Sequence, residues 1–342
     1  TMIIKSAYIE ITNRCNLDCR DCYNSSGRNR KTVELDPDVL LRFITDLKVR
    51  YHVRAVTLSG GEPLLHTQID RILKSISELS VRCPEMDFNF ITNGTLDNAL
   101  FYELMERNPH FYLQISLDGP NEAANASMRG PGVFSKVMAN TGKRVFCNRP
   151  VYKMVLNKTN AAFFEEYFWF VMELGGLPSF AFVTPQGNAA ANWAEMQLSV
   201  QERADIILRI KQLYEEHGIE NVSLPMPASH CDLTDAEPQN NFCVKPDGSL
   251  QPCQNLYDSR FALANVYSLD WEALAQTFQT FSSFLASRLS TDYGCGKCPL
   301  NVVCGRGCPA LSYFRSGDLL SSDGACEIRK ISAFHLIKAF KK

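Results

Sequence analysis

At 342 residues the chain exceeds one ordinary hydrophobic core, so a large domain with a smaller companion is expected. A formal net charge of −2 with no Lys/Arg tract argues against nucleic acid as a partner, and no apolar stretch approaches the ~20 residues that cross a bilayer. Thirteen cysteines, an odd number in a long chain with no export signal ahead of Met2, read as metal ligands in a reducing cytoplasm rather than a disulfide framework.

Strand patterns at 7–12, 55–59, 88–93, 112–118, 151–157 and 179–183 alternate with helical patterns at 36–49, 69–80, 96–108, 134–144 and 162–174. A strong helix over 200–217 follows as the sixth. Six such units predict an α/β fold with a parallel sheet and crossover helices, either doubly wound or barrel-like. One strand face is polar at period two: Glu10 and Thr12, Thr57 and Ser59, Asn89 and Asn93, Gln114, Ser116 and Asp118, Lys153 and Asn157. The alternate residues Ile9, Ile11, Val56, Leu58, Phe88, Phe90, Ile115 and Leu117 should pack under helices. Strands buried on both faces would be apolar throughout, so this pattern favours a curved sheet around a polar cavity. After Pro225 the chain becomes rich in Pro, Gly, Asp and Cys, with little periodicity except around 271–289. Such a segment is expected to bury little apolar surface and to need metal staples. The boundaries read as 5–225, 226–326 and a closing amphipathic helix over 327–342.

Cys15, Cys19 and Cys22 are spaced C-x3-C-x2-C in a polar loop leaving the first strand, where β/α folds gather reactive groups. Three thiolates are one ligand short for a tetrahedral ion or a cubane cluster, which leaves a corner for a substrate or cofactor. One β-α unit later stands Gly60-Gly61-Glu62-Pro63. Together these resemble the radical S-adenosylmethionine (SAM) superfamily. The resemblance implies a partial (β/α)6 TIM-like barrel with Cys15, Cys19 and Cys22 holding a [4Fe–4S] cluster whose fourth iron binds SAM. It also implies SAM contacts from Gly60, Gly61, Glu62 and Pro63, from Asn93 and Ser116–Asp118 at the ends of strands three and four, and from Arg129. The family's aromatic residue before the third cysteine is Asp21 here, so only its backbone can serve; Tyr23 is a candidate substitute for the lost stacking.

Downstream lie Cys231, Cys243 and Cys253, then Cys295-x2-Cys298-x5-Cys304-x3-Cys308, then Cys326. Eight thiolates suffice for two fully ligated clusters. With Gly248-x4-Cys253, the run resembles the SPASM extension of radical SAM maturases. By that resemblance one auxiliary [4Fe–4S] cluster uses Cys231, Cys243, Cys253 and Cys308, and the other Cys295, Cys298, Cys304 and Cys326. The position of Cys243 departs from the usual spacing, so a first auxiliary cluster with an open site is the alternative. Cys243 and Cys253 share a face only if the hairpin loop around Pro246-Asp247-Gly248 has odd length. Two structural zincs are the rival reading. Cys83 and Cys147 fit neither set and read as free thiols.

The resemblance implies cleavage of SAM to a 5′-deoxyadenosyl radical, hydrogen abstraction from a substrate, and electron transfer to an auxiliary cluster, a net two-electron oxidation. SPASM enzymes act mostly on peptides or proteins, so oxidative peptide modification or cross-linking is the first expectation. Its partners would be a ferredoxin or flavodoxin as electron donor and, for a leader peptide, a separate binding protein. Sulfatase-type formylglycine formation is disfavoured because Gln254 stands where those relatives carry an aspartate base. The alternatives are oxidation of a small molecule, such as a tetrapyrrole side chain, sugar alcohol or cofactor precursor, and a colourless zinc-stapled adaptor.

Overall fold

The computed structural model describes residues 2–27, 31–220, 222–228, 230–290, 295, 297–300 and 304–331. Its strands are β1 (Ile3–Glu10), β2 (Ala55–Ser59), β3 (Asp87–Thr92), β4 (Phe111–Ser116), β5 (Val151–Leu156), β6 (Leu177–Phe182), β7 (Gln239–Val244), β8 (Ser249–Gln251) and β9 (Ala264–Asn265). The helices are α1 (Pro37–Tyr51), α2 (Ile69–Arg82), α3 (Ala99–Arg107), α4 (Glu122–Arg129), α5 (Val133–Thr141) and α6 (Phe164–Glu173), then the short α7 (Asn188–Ala191) and α8 (Trp193–Met196). They are followed by α9 (Val200–Glu216), α10 (Trp271–Ala286) and α11 (Pro309–Ser316).

Local chemistry explains the helix boundaries. Asp36 caps α1 by accepting from the Asp38 and Val39 amides, with Pro37 in the first turn, where no amide is needed. Ser199 and Glu202 form a reciprocal capping box on α9. In α2 the buried Ile69, Ile72, Leu73, Ile76 and Leu79 form a single stripe. The short α4 was not expected from periodicity; Asn121 caps it through the Ala124 amide.

All nine strands form one sheet in the order β6-β5-β4-β3-β2-β1-β7-β8-β9, with β1 to β6 parallel. The eight apolar residues expected under the helices are all fully buried. The α/β fold with a parallel sheet is therefore the expected one.

The C-terminal segment differs from expectation. Far from burying little, it sends Phe242, Val244, Leu250, Leu274, Phe278 and Leu285 into the same core as the barrel. The reason is β7, which pairs in parallel with β1 (Ala7 opposite Phe242, Ile9 opposite Val244), while α10 covers it through Phe278 on Phe242. Trp271 then stacks on Phe43 of α1 and donates its indole N–H to Asp46 at 3.2 Å. The sheet thus runs across the expected boundary at 225. Only residues 327–331 of the expected closing helix lie within the described residues, and they are helical. Deleting residues 226–342 should strip β1 of a hydrogen-bonded neighbour and leave an aggregating product. A soluble, folded 1–225 fragment by gel filtration and circular dichroism would contradict that.

Candidate active site and cysteine centres

The loop bearing Cys15, Cys19 and Cys22 is gripped from three directions. On the β2 side, the Gly61 amide donates to the Thr12 carbonyl at 2.8 Å and the Glu62 amide to the Arg14 carbonyl at 2.7 Å. A Cβ on Gly60 would collide with the Thr12 carbonyl oxygen, and one on Gly61 with that of Arg14. On the β6 side, Gly187 has φ +54° and faces the Cys22 and Tyr23 carbonyls. Asn188 donates its amide to the Cys22 carbonyl (2.9 Å) and its side chain to the Cys19 carbonyl (2.8 Å). From the α4 side, the Arg20 amide donates to the Met128 carbonyl at 3.1 Å.

This grip makes the three cysteines part of the wall of one cavity of about 430 Å³, at the carboxyl ends of the strands. Gly60, Gly61, Asn93, Ser116, Arg129 and Asp21 line the same cavity. Glu62, Pro63 and Asp118 do not. The Glu62 carboxyl is fully buried, accepting from the Leu64 amide (3.2 Å), the Thr92 hydroxyl (2.8 Å) and the Asn93 amide (2.7 Å). Asp118 accepts from the Val155 amide (2.8 Å) and pairs with the Arg129 guanidinium at 2.7 Å. Of the polar strand face, Ser59, Asn93, Gln114, Ser116 and Lys153 reach the cavity, whereas Glu10 is held by Tyr23 and Lys245.

Burial dominates the electrostatics. It pushes the Cys15 thiol up to about 11 and raises Cys19 and Cys22 as well, with Arg129 opposing it at Cys19. Thiols this costly to ionise need a cation among them, and donors are in place. The Leu17 amide stands 3.4 Å from the Cys15 sulfur, the Asn93 side-chain amide 3.8 Å from it, and Arg129 3.9 Å from the Cys19 sulfur. The residues therefore fit a multi-iron cluster. Among the described residues no three His, Cys, Asp or Glu side chains are drawn together as a single metal ion requires. Asp21 is raised to about 7 by burial and then by Asp118.

Glu62 is likewise raised, from 4.5 to about 7, chiefly by burial. An acid whose folded pKa is raised contributes stability that is complete below about 4.5 and lost as pH rises through about 7. The wild type should therefore lose on the order of 2–3 kcal/mol relative to Glu62→Gln across that window, measured by thermal unfolding against pH. A constant difference between the two would count against it.

In the C-terminal segment, Cys295, Cys298, Cys304 and Cys326 line one small cavity of about 40 Å³ with Leu300, Arg306, Arg329 and Lys330. Three cations beside four thiols suit a centre of net negative charge. Cys231, Cys253 and Cys308 form a second group: burial first, with ionised Cys308 adding to it, raises Cys231 to about 11 and Cys253 to about 12, and burial raises Cys308 as well. Cys243 feels the charge of only one of that trio, Cys253. It is fully buried on β7 opposite Tyr8, where Glu10, Lys245 and Cys253 all act on it. Val244 pairs with Leu250 across residues 245–249, an odd loop, so Cys243 shares a face with Gln251. Arg288, fully buried, donates to the Arg306, Gly307 and Ser321 carbonyls and to the Ser312 hydroxyl, pinning the backbone between the two groups. None of the thirteen cysteines forms a disulfide, and Cys83 and Cys147 lie outside these groups.

The sequence pattern of the radical SAM superfamily matches residues 9–143. Residues 9–143 thus carry the radical SAM pattern. The chain is also similar over most of its length to two known proteins. An AdoMet-dependent heme synthase of Nitratidesulfovibrio vulgaris is 21% identical over 94% of this chain and 91% of that one. The mycofactocin maturase MftC of Mycolicibacterium smegmatis is 23% identical over 93% and 81%. SuiB of Streptococcus suis bound to S-adenosylmethionine shares the fold, with a TM-score of 0.75 at 15% identity over 95% of this chain and 77% of that one. No helix among the described residues is long and apolar enough to cross a membrane.

Several residues of this cavity and its cysteine loop were not singled out from sequence. Tyr8, Asn24 and Gln186 line the cavity, and Gly187 and Asn188 clamp the cysteine loop. A glycine in the loop after the last barrel strand looks like any turn glycine until its neighbours across space are known.

Proposed function

We propose that this chain is a radical SAM maturase that oxidatively modifies or cross-links a peptide, using one SAM-binding and two auxiliary [4Fe–4S] clusters. One observation carries the reading. Gln254 and Asn255, next in sequence to Cys253, form part of the wall of the cavity that holds Cys15, Cys19 and Cys22. A substrate there would lie between the SAM-binding thiols and the first auxiliary group. The SAM-binding cluster, when bound, supplies the electron that splits SAM and so provides the hydrogen-abstracting radical.

The chain's own residues hold and orient. Cys15, Cys19 and Cys22 would hold the SAM-binding cluster. Cys231, Cys253 and Cys308, with Cys243 or an open site, would hold one auxiliary cluster, and Cys295, Cys298, Cys304 and Cys326 the other. Gly60, Gly61, Asn93, Ser116, Arg129 and the Asp21 backbone are the proposed SAM contacts. Glu62, Pro63 and Asp118 act behind them: Glu62 fixes the Thr92–Asn93 turn, and Asp118 holds Arg129 in place.

A peptide is favoured over a small molecule by the free outer edge of β6. That strand ends the sheet, and its residues Ala181–Phe182 with Val183–Thr184 border open cavity, so an extended peptide could lie along it. The relative that makes heme keeps a tetrapyrrole substrate as the second reading. A ferredoxin or flavodoxin as reductant, a separate leader-binding protein and a reducing, anaerobic cytoplasm complete the proposal. Anaerobically reconstituted protein should be brown, carry about twelve irons per chain, and form 5′-deoxyadenosine and methionine from SAM with dithionite. Colourless, zinc-containing protein that forms no deoxyadenosine would overturn the reading.

A further inference from the structure

The cavity beside the three thiols continues outward. Past Lys153, Phe182, Thr184 and Asn255 it opens into a second space of about 760 Å³, between the β6 edge, the start of α9 and residues from 223–228 and 308–325. Two cations in its wall make no ion pair among the described residues; the acid that acts on Arg203, Asp323, is the one Arg329 holds. Lys153 stands on β5 opposite Ser116, on the stretch common to both cavities, and makes no ion pair among the described residues. Arg203 of α9 lays its guanidinium over the Phe182 ring at 4.9 Å, while its Nε finds no hydrogen-bond acceptor.

The acids lining the two cavities are already matched, and of the remaining cations Arg129 has an acid while Arg315 makes no ion pair among the described residues. Arg129 is held by Asp118, and Arg315 donates to the Ser322 carbonyl. Asp323 is engaged by Arg329 and by the Cys308 and Ala325 amides, and Asp21 faces the Arg129–Asp118 pair. Burial disfavours the charged form of both Lys153 and Arg203. Stacking on Phe182 accounts for the face of Arg203 but not for its hydrogen-bonding edge. Half-buried cations kept without an ion pair are costly, and an incoming anion removes that cost.

We propose that Lys153 and Arg203 bind a carboxylate of the substrate at the junction of the two cavities, turning the bond to be attacked toward Cys15, Cys19 and Cys22. The proposal names a substrate class for the radical SAM reading and rests on it. Two sources carry the same chemistry: a peptide carboxylate, from its C-terminus or an acidic side chain, and a tetrapyrrole propionate. An arginine beside a lysine suits either, through a forked pair of N–H donors and a point charge.

The test is binding to the anaerobically reconstituted protein, in two arms. One compares the tripeptide acetyl-Phe-Ala-Phe with its C-terminal amide by calorimetry; the other compares mesoporphyrin with its dimethyl ester by absorbance. In at least one arm the acid should bind about tenfold tighter than its neutral copy. That preference should fall to within about threefold in Lys153→Met and in Arg203→Met, and partly return in Arg203→Lys. The arm that shows it identifies the source. Equal binding of acid and neutral copy in both arms, no binding in either, or a preference untouched by both substitutions would overturn the proposal. If a variant fails to fold, the acid-to-neutral ratio in the wild type decides alone. Deoxyadenosine formation is measured separately: a wild type that cleaves SAM without any acid preference sinks the carboxylate pocket and leaves the radical reading standing.

Discussion

Under the proposed function, Gly61→Ala should abolish the cluster held by Cys15, Cys19 and Cys22 while leaving the fold largely in place. The added methyl meets the Arg14 carbonyl, so either the turn after β2 or the cysteine loop must give way. The loop is the softer of the two, since β2 lies between β1 and β3 in the sheet. A shift of about 1 Å in three ligands that share one cluster is enough to lose about 100-fold in rate. The expected result is iron lowered by one cluster's worth and deoxyadenosine formation reduced at least ~100-fold, with stability lowered by only ~1–3 kcal/mol. Cys147→Ala, at an exposed thiol outside every cysteine group, is the control and should change neither. Full iron and normal SAM cleavage in Gly61→Ala would show that the clamp does not position the loop.

Arg288→Met should have the complementary effect. Its guanidinium joins three carbonyls and a hydroxyl in a site with no exposure. Methionine fills part of the volume and leaves the carbonyls without donors, at ~1–3 kcal/mol each, or roughly 3–5 kcal/mol in all. The strands β7 to β9 would still hold to β1, so the damage should be confined to residues around 306–326. Iron should fall toward the content of the first cluster alone, while SAM is still cleaved when no substrate is present. Arg288→Lys should be intermediate, because one ammonium cannot span four acceptors. Electron paramagnetic resonance of the reduced protein separates these outcomes; three intact cluster signals in Arg288→Met would refute the role.

The barrel was legible because its signals are local. Alternation along Val56–Leu58 and Phe88–Phe90, caps such as Asp36, and the C-x3-C-x2-C spacing are each readable from a few neighbouring residues. The α4 segment was missed because eight residues between two turns give too little periodicity. The pairing of β7 with β1 joins residues more than 230 positions apart, and a strand of six residues carries no mark of its partner. The same distance hid Gly187 and Asn188, whose role depends on where the Cys22 carbonyl lies. The roles of Glu62 and Asp118 depend on depth: both sit near the expected ligand-facing loops, yet their oxygens are taken by Thr92, Asn93, Val155 and Arg129. A sequence shows which residues are charged, but not which are already matched.

Strand β1 has a further consequence for electron flow. It carries Tyr8 at the cavity wall, lies hydrogen-bonded to β2 on one edge and to β7 on the other, and faces Tyr8 toward Cys243 across that second edge. Adjacent strands are held ~4.8 Å apart by their ladder. Under the proposed function, the span an electron would cross at this seam is therefore fixed by the sheet itself, and tunnelling should proceed without waiting for any hinge to swing.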